Sequence, residues 1–249
     1  MLVQVVGDQV AVPSAQVLAP IASIPLGPGC FADVLSLDAQ APAGHEFLGL
    51  RELFGRLPDQ ELRLAGRASQ LVNWYHGHAF CGTCGTVTLM SDVEMARVCP
   101  RCNALHFPRL NPAVIMRVDR DSSMLLARSR NFQGDYFSVL AGFVEPGETL
   151  EEAVAREVLE EVGLSVSHVS YFGSQPWPFP SQLMIGFVAQ AGPGKIRLGR
   201  NEIVDARWFR RGDHLPPLPG PFSISRRLID DFLAADHALS RRRSPKLAL

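Results

Sequence analysis

A chain of 249 residues, 47% hydrophobic and 20% charged, is long enough for one large domain or two small ones and has an ordinary globular balance. Its 24 basic and 25 acidic residues leave a formal charge of -1, so no strong overall field draws it to nucleic acid or to a membrane. The start of the chain lacks the basic and apolar stretches of a secretory signal, and no apolar run approaches the roughly 18 residues of a membrane span, so a cytoplasmic protein with no membrane partner is expected.

Residues 1 to about 44 read as short strands and turns, "LVQVV" and "QVAV" among them, broken by Pro and Gly. "GLRELFGRL" and "ELRLAGRASQLVNWYHGH" then carry helical periodicity. Two cysteine pairs follow, Cys81-x-x-Cys84 and Cys99-x-x-Cys102, with 14 residues between them. That spacing is close to a zinc ribbon, and four thiolates make a closed tetrahedral Zn²⁺ site, structural because no position stays open. A redox pair or four free core thiols are the other readings. Gly82 and Gly85 suit the tight turns of zinc knuckles. Between the pairs Arg97 is the one basic residue, which argues against a ribbon that grips a nucleic-acid backbone. Cys30 reads as a small buried residue, and His76, His78 and His106 as structural, since the four cysteines complete the shell.

"FPRLNPAV" bridges to the apolar runs Ala113–Val118 and Met124–Ala127, whose separator "DRDSS" predicts a hairpin. Further strands are expected at Val166–Phe172, Leu183–Ala189 and Ala206–Arg210, and a last helix from about Ser223 to Ala238. The organisation is then an N-terminal α+β region over 1–78, a zinc ribbon over 79–107, an α/β domain over 108–240, and a basic tail, 241–249, expected to be disordered.

One segment stands out within the α/β domain. "GFVEPGETLEEAVAREVLEEVGL", 142–164, sets seven glutamates against one arginine. Pro146-Gly147 makes a turn, Thr149 with Glu152 forms a capping box, and Gly163 marks the helix end. Val154, Val158, Leu159 and Val162 form a stripe for packing on a sheet. Glu157, Glu160 and Glu161 share another arc of roughly 100°, with Glu157 and Glu161 expected to be exposed. Like charges at these spacings repel, and Arg156 alone does not offset them. Mg²⁺ or Mn²⁺ would, by taking carboxylate oxygens; on spacing alone an acidic solvated face is the competing reading.

Gly142, Glu148 and "REVLEEVGL" together match the Nudix box at every fixed position, so the chain resembles the Nudix hydrolase family. The resemblance implies an α/β/α sandwich whose loop–helix–loop binds divalent ions against a substrate pyrophosphate. By position it makes Glu157 and Glu161 the main ligands and Glu160 a third, with the Ala141 carbonyl completing the shell. Arg156 would hold Glu148, and Glu202 in "RNEIVDARWF" would be a further ligand or base.

A second motif narrows the resemblance. "SQPWPFPSQLMIGF", 174–187, is similar to the segment that marks NADH pyrophosphatases within the family, which also carry a zinc ribbon upstream. With "LAGRASQL" and "FPRLNPAVI" the likeness runs from about 46 to 235. It implies hydrolysis of NAD(H) to nicotinamide mononucleotide and AMP, the same cleavage on NAD-capped RNA, and a homodimer. Gln175, Pro176, Trp177, Pro178, Phe179, Pro180, Ser181 and Gln182 would line the dinucleotide site. Phe107 and Phe143 would stack on a base or nicotinamide, and Glu94 and Arg51 would make contacts across the dimer. On composition alone "QPWPFP" is equally a packing turn.

Three positions depart from the subfamily pattern. Ser181-Gln182 is inverted, Ser225 stands for a small apolar residue, and Phe107 replaces Tyr. The first two bear on base recognition. The inversion keeps open a substrate such as ADP-ribose, a dinucleoside polyphosphate or another nucleotide sugar. A non-catalytic zinc-ribbon and Nudix binding protein is a reading of another class, against which the intact glutamates weigh.

Overall fold

The computed structural model describes residues 2–6, 9–11, 18–41, 46–131, 134–199 and 202–241. They fall into two units, 1–110 with 177–181, and 111–176 with 182–249.

The first unit holds a five-stranded sheet of β1 (Leu2–Val6), β2 (Gln9–Ala11), β3 (Ala22–Gly27), β4 (Cys30–Val34) and β5 (Leu48–Gly49), in the order β3-β4-β1-β2-β5. β1 and β4 run parallel; the other pairs are antiparallel. Helix α1 (Asp59–Gly77) lays Ala65, Ala68, Leu71, Val72 and Trp74 on Val5, Ile24, Leu26, Ala32 and Val34. Ala65 and Ala68, small residues on its buried face, let the helix lie close to the sheet. "GLRELFGRL" yields only a 3-10 turn, Leu50–Leu53. Gly55 in the left-handed region, with φ +78, and Pro58 at the N-cap of α1 break what the periodicity alone would join. Cys30, expected to be buried, is half-buried and packs against this core. β6 (Leu89–Met90), β7 (Arg97–Val98) and β8 (Leu105–His106) form a small antiparallel sheet around the cysteine pairs.

The second unit is built on β9 (Asn111–Arg120) and β10 (Ser123–Ser129), turned at Asp121 with φ +53. β11 (Leu140–Phe143), helix α2 (Leu150–Val162), β12 (Val166–Trp177), β13 (Gln182–Ala191), β14 (Ile203–Arg210) and helix α3 (Ile224–Arg241) follow. The sheet order is β12-β13-β9-β10-β14, with β11 pairing to β9. β13 lies parallel to β9, while β11, β10 and β14 add antiparallel pairs.

The continuous apolar run of β9 has a simple cause: both faces of the sheet are covered. Val114, Met116 and Val118 join Ala153, Val154, Val158 and Val162 of α2. Ile115 of β9, with Met124 and Leu126 of β10, joins Ile224, Leu228, Ile229 and Phe232 of α3. The result is the expected α/β/α sandwich. One member of the expected stripe falls out of it, because Leu159 is 57% exposed while Ala153 takes a place in the core. β12 runs past the expected Phe172 to Trp177, so the start of the aromatic motif is strand. The disorder expected of the tail concerns 242–249, outside the described residues. Among the described residues no helix is long and apolar enough to cross a membrane.

Candidate active site

The glutamate segment folds as its local chemistry directs. Thr149 Oγ1 accepts from the backbone N–H of Glu152 at 3.2 Å, and Glu152 accepts from the Thr149 N–H at 2.8 Å, closing the capping box. Gly163 ends α2 in the left-handed region with φ +70. Gly147, with φ +94, turns the chain into the helix. Ahead of it, a Cβ on Gly142 would meet the carboxyl carbon of Glu157 at 1.9 Å. The first glycine of the segment is therefore the floor on which the Glu157 carboxylate rests.

Arg156 organises the acids. Its Nε and Nη2 donate to Glu148 Oε1 and Oε2 at 2.5 and 3.0 Å, and its Nη1 to Glu157 Oε1 at 2.8 Å and Glu160 Oε2 at 3.3 Å. Nη2 also donates to the Phe143 carbonyl at 2.8 Å. This bidentate grip holds the Glu148 carboxyl below its usual range, helped by the Glu145 N–H.

Glu157 and Glu161 are not exposed as the helical wheel suggested. Glu161 is 7% exposed, and Glu157 keeps 13% of its side chain accessible. Burial raises the Glu157 carboxyl despite Arg156. It pushes Glu161 up to about 8, with the charges of Glu202, Glu157 and Glu160 adding to the effect. Glu161 Oε2 is buried without a hydrogen-bond partner. Glu202, from the segment before β14, lies close enough for its charge to act on Glu161. A buried carboxylate with one oxygen unpaired, repelled by the half-buried Glu157 and the exposed Glu160 and Glu202, offers oxygens of the kind a hard divalent cation takes.

In the ribbon the four Sγ atoms lie within 4.8 Å of one another. Cys81–Cys102, Cys84–Cys99 and Cys84–Cys102 are 3.6, 3.5 and 3.7 Å apart. Bonds of about 2.3 Å to one tetrahedral zinc put sulfurs about 3.8 Å apart, and a disulfide needs about 2 Å, so the set fits an ion and not a bridge. Gly85 N–H donates to the Cys81 carbonyl and Asn103 N–H to the Cys99 carbonyl, both at 2.9 Å. These two residues, with φ +72 and +57, turn the two knuckles; Gly82, expected to share that task, does not adopt positive φ. The Thr83 N–H lies 3.4 Å from Cys81 Sγ, and this donor chiefly holds the thiol down to about 5.

The aromatic motif divides. Gln175 spends its amide on the start of α3, donating to the Phe222 carbonyl at 2.8 Å and accepting from the Ile224 N–H at 2.7 Å. Gln182 opens β13 opposite Asn111. Between them Trp177–Ser181 belong to the first unit. There Trp177 and Phe179 pack on Phe54 with centroids 6.3 and 5.9 Å away. The Arg51 guanidinium lies 4.0 Å from the Phe179 ring centre, an intramolecular stacking partner for a residue expected at a dimer contact. Phe107 and Phe143 each present an exposed ring in their own unit. Glu94 sits exposed on the turn before β7. Ser225, read as a recognition position, is buried and shares a 2.6 Å hydrogen bond with Ser138; the polar departure is satisfied inside the core.

The model of the NUDIX domain matches residues 108–232. The chain belongs to the Nudix hydrolase family. Ahead of that domain the NADH pyrophosphatase zinc ribbon domain matches 76–107, and the NADH pyrophosphatase-like rudimentary NUDIX domain matches 26–74. A protein of Deinococcus radiodurans named NAD-capped RNA hydrolase NudC is 48% identical over 204 residues, 80% of this chain and 72% of its own. One of the same name from Chromobacterium violaceum is 46% identical over 203 residues, 82% and 76%. A crystal structure of a NUDIX hydrolase from Nitrosomonas europaea aligns with a TM-score of 0.53 at 21% identity, over 64% of this chain and 92% of that one, a likeness of fold. This Nudix hydrolase is thus an enzyme of the NADH pyrophosphatase branch.

Sequence reasoning missed two close approaches in this Nudix hydrolase. A Cβ on Gly199 would lie 2.3 Å from the Glu160 carbonyl, and Gly199 N–H donates to the Glu161 carbonyl at 2.9 Å. A Cβ on Gly66 would lie 2.9 Å from Pro178 Cγ. A glycine inside a helical pattern, as in "LAGRASQL", was the available signal for the second.

Proposed function

We propose that this Nudix hydrolase cleaves the pyrophosphate bond of NAD(H) to give nicotinamide mononucleotide, reduced or oxidised, and AMP. The same bond lies in NAD caps at RNA 5′ ends, and the name borne by the two relatives supports extending the reaction to them. The observation that carries the chemistry is the buried Glu161 carboxyl of α2, its Oε2 unpaired and facing the charges of Glu202, Glu157 and Glu160.

Glu157 and Glu161, with Glu160, Glu202 and the Ala141 carbonyl, would hold Mg²⁺ or Mn²⁺. Held there, such an ion would supply charge neutralisation for the pyrophosphate and polarisation of a water. Arg156 fixes Glu157 and Glu160 in place through its fork and is itself anchored by Glu148. Gly142 keeps the space the Glu157 carboxylate needs. Glu202, whose charge acts on Glu161, is the carboxylate outside α2 suited to take the proton of the attacking water where it does not itself hold the ion. Phe143, exposed one residue beyond Gly142, offers a face for a base or nicotinamide. The four cysteines hold structural Zn²⁺.

Four thiols kept reduced for a metal fit a reducing compartment, the cytoplasm. The ribbon supports self-association: Leu89, Val98 and Leu105 share one face of its sheet, and Phe80 and Val87 beside them are 65% and 56% exposed. Such an apolar face suits a homodimer, and light scattering after gel filtration tests it.

The deciding experiment incubates purified protein and Mg²⁺ or Mn²⁺ with NADH, with ADP-ribose, and with a short NAD-capped RNA. Metal-dependent AMP and reduced nicotinamide mononucleotide, formed faster than ADP-ribose is cut, is the expected result. Release of nicotinamide mononucleotide from the RNA supports decapping. Glu157→Gln and Glu161→Gln each lower kcat by about a hundredfold or more. The inverted Ser181-Gln182 favours one second reading, ADP-ribose as the better substrate; faster ADP-ribose cleavage would establish it.

A further inference from the structure

The segment 192–199 follows β13 and returns over the last turn of α2, all within the second unit. It is held at both ends. At the near end Gly192 N–H donates to the Ser165 carbonyl at 2.8 Å. Arg120, the last residue of β9, donates from Nη2 to the Gly192 carbonyl at 2.6 Å and from Nη1 to the Gly194 carbonyl at 2.9 Å. Its guanidinium lies 4.5 Å from the Trp208 ring centre. A planar fork that stacks on an indole and takes two carbonyls of one turn fixes that turn. Ile196 packs on the core that α2 shares with the sheet. At the far end the Arg197 and Gly199 N–H groups donate to the Val162 and Glu161 carbonyls, both at 2.9 Å.

Gly199 makes the tightest of these contacts. A Cβ there would stand 2.3 Å from the Glu160 carbonyl oxygen, 3.3 Å from its carbon and 3.6 Å from Glu161 Cα. The obstacle is helix backbone, which cannot swing aside as the end of a side chain can. Val158 and Val162 bury this turn of α2 in the core, and Gly163 closes it. Bulk at position 199 therefore moves the returning segment and not the helix. Three residues beyond Gly199 stands Glu202, whose charge acts on Glu161. Its carbonyl accepts from the Arg130 N–H at 2.8 Å, and Ile203 after it pairs with Ser129. Glu202 is thus tied to the sheet on one side, and on the other to a segment seated on the Glu161 carbonyl.

We infer that Gly199 is a positioning residue for the cleavage, with Arg120 as its anchor: by letting the returning segment sit on the backbone of α2, Gly199 sets where Glu202 stands relative to Glu161. This rests on the reading that Glu202 serves the reaction as base or metal ligand. Gly199 has no side chain to offer a substrate, so its replacement acts through Glu202. It lowers kcat and leaves the KM for NADH in place.

The test is a double-mutant cycle in the full chain, with NADH and Mg²⁺, of Gly199→Ala, Glu202→Gln and the two together. Hydrogen exchange of the Arg197 and Gly199 amides is followed beside it, without metal. Both single variants are expected to lower kcat, Gly199→Ala by up to about a hundredfold, the order a misplacement of about 1 Å gives. KM stays unchanged, exchange at both amides quickens, and the double variant is no slower than Glu202→Gln alone. A residue that only stabilised the fold would add its loss to that of Glu202→Gln, so additive losses overturn the inference. Exchange as slow as in the parent protein overturns it too. If Glu202→Gln lowers kcat and Gly199→Ala does not, the positioning role is lost while the part played by Glu202 stands. If Glu202→Gln leaves kcat unchanged, that reading of Glu202 fails and the inference falls with it. Should Gly199→Ala prove insoluble, Arg120→Gln, which loses the two-carbonyl fork, takes its place in the cycle and is judged by the same outcomes.

Discussion

Gly142 shows how little room the acid cluster has. The 1.9 Å between a Cβ there and the Glu157 carboxyl carbon means that Gly142→Ala must drive the carboxylate off its floor. A shift of that size at a catalytic group costs about a hundredfold in rate, and a kcat assay against an unchanged circular dichroism spectrum checks it. Glu161 makes a second prediction. Its folded proton affinity is raised to about 8 from 4.5, so the unfolded chain ionises first. Without added divalent ions, this group's contribution to stability is therefore lost progressively as pH rises from about 4.5 to about 8. Glu161→Gln removes that slope, and melting temperatures of both proteins at pH 5 and pH 8 without added divalent ions should show the difference. The identity of these acids was legible in the sequence, and their burial was not. Helical spacing gives faces but not what covers them. Here the 195–199 segment returns over the end of α2, its Arg197 and Gly199 N–H groups donating to the Val162 and Glu161 carbonyls. That return packs on the backbone of Glu160 and Glu161, while Leu159 is left exposed.

At the scale of elements, local chemistry was the reliable guide. Thr149, Glu152 and Gly163 defined α2 from sequence because caps are short-range bonds, and Thr149→Ala should cost about 1 kcal/mol in a denaturant titration. The β9 run was readable as strand, and its two-sided burial followed once α2 and α3 were in place. "GLRELFGRL" failed as a helix because periodicity carries no penalty for Gly55 or Pro58. The knuckles were half legible: the cysteine spacing announced them, but the second turns on Asn103, whose left-handed φ composition does not announce. Its amide makes the same 2.9 Å bond as Gly85, so Asn103→Gly should be tolerated and Asn103→Val should weaken zinc retention in a chelator competition.

For the molecule as a whole, the sequence led to an expected N-terminal region, ribbon and α/β domain, but the assignment of Trp177–Ser181 to the first unit was not legible in it, since Phe54 and Gly66 lie far upstream. Two units with separate cores should melt in more than one calorimetric step, and stripping zinc from Cys81, Cys84, Cys99 and Cys102 should lower the step of the first unit while sparing the other. The interrupted chain of the first unit has a consequence for biosynthesis. When residue 110 leaves the ribosome, the sheet under α1 has all its strands, yet the Phe54 ring and the groove at Gly66 still lack their cover. That cover arrives only when the β12–β13 hairpin emerges, so a nascent chain halted between these points would display an apolar notch that chaperones can bind and proteases can find.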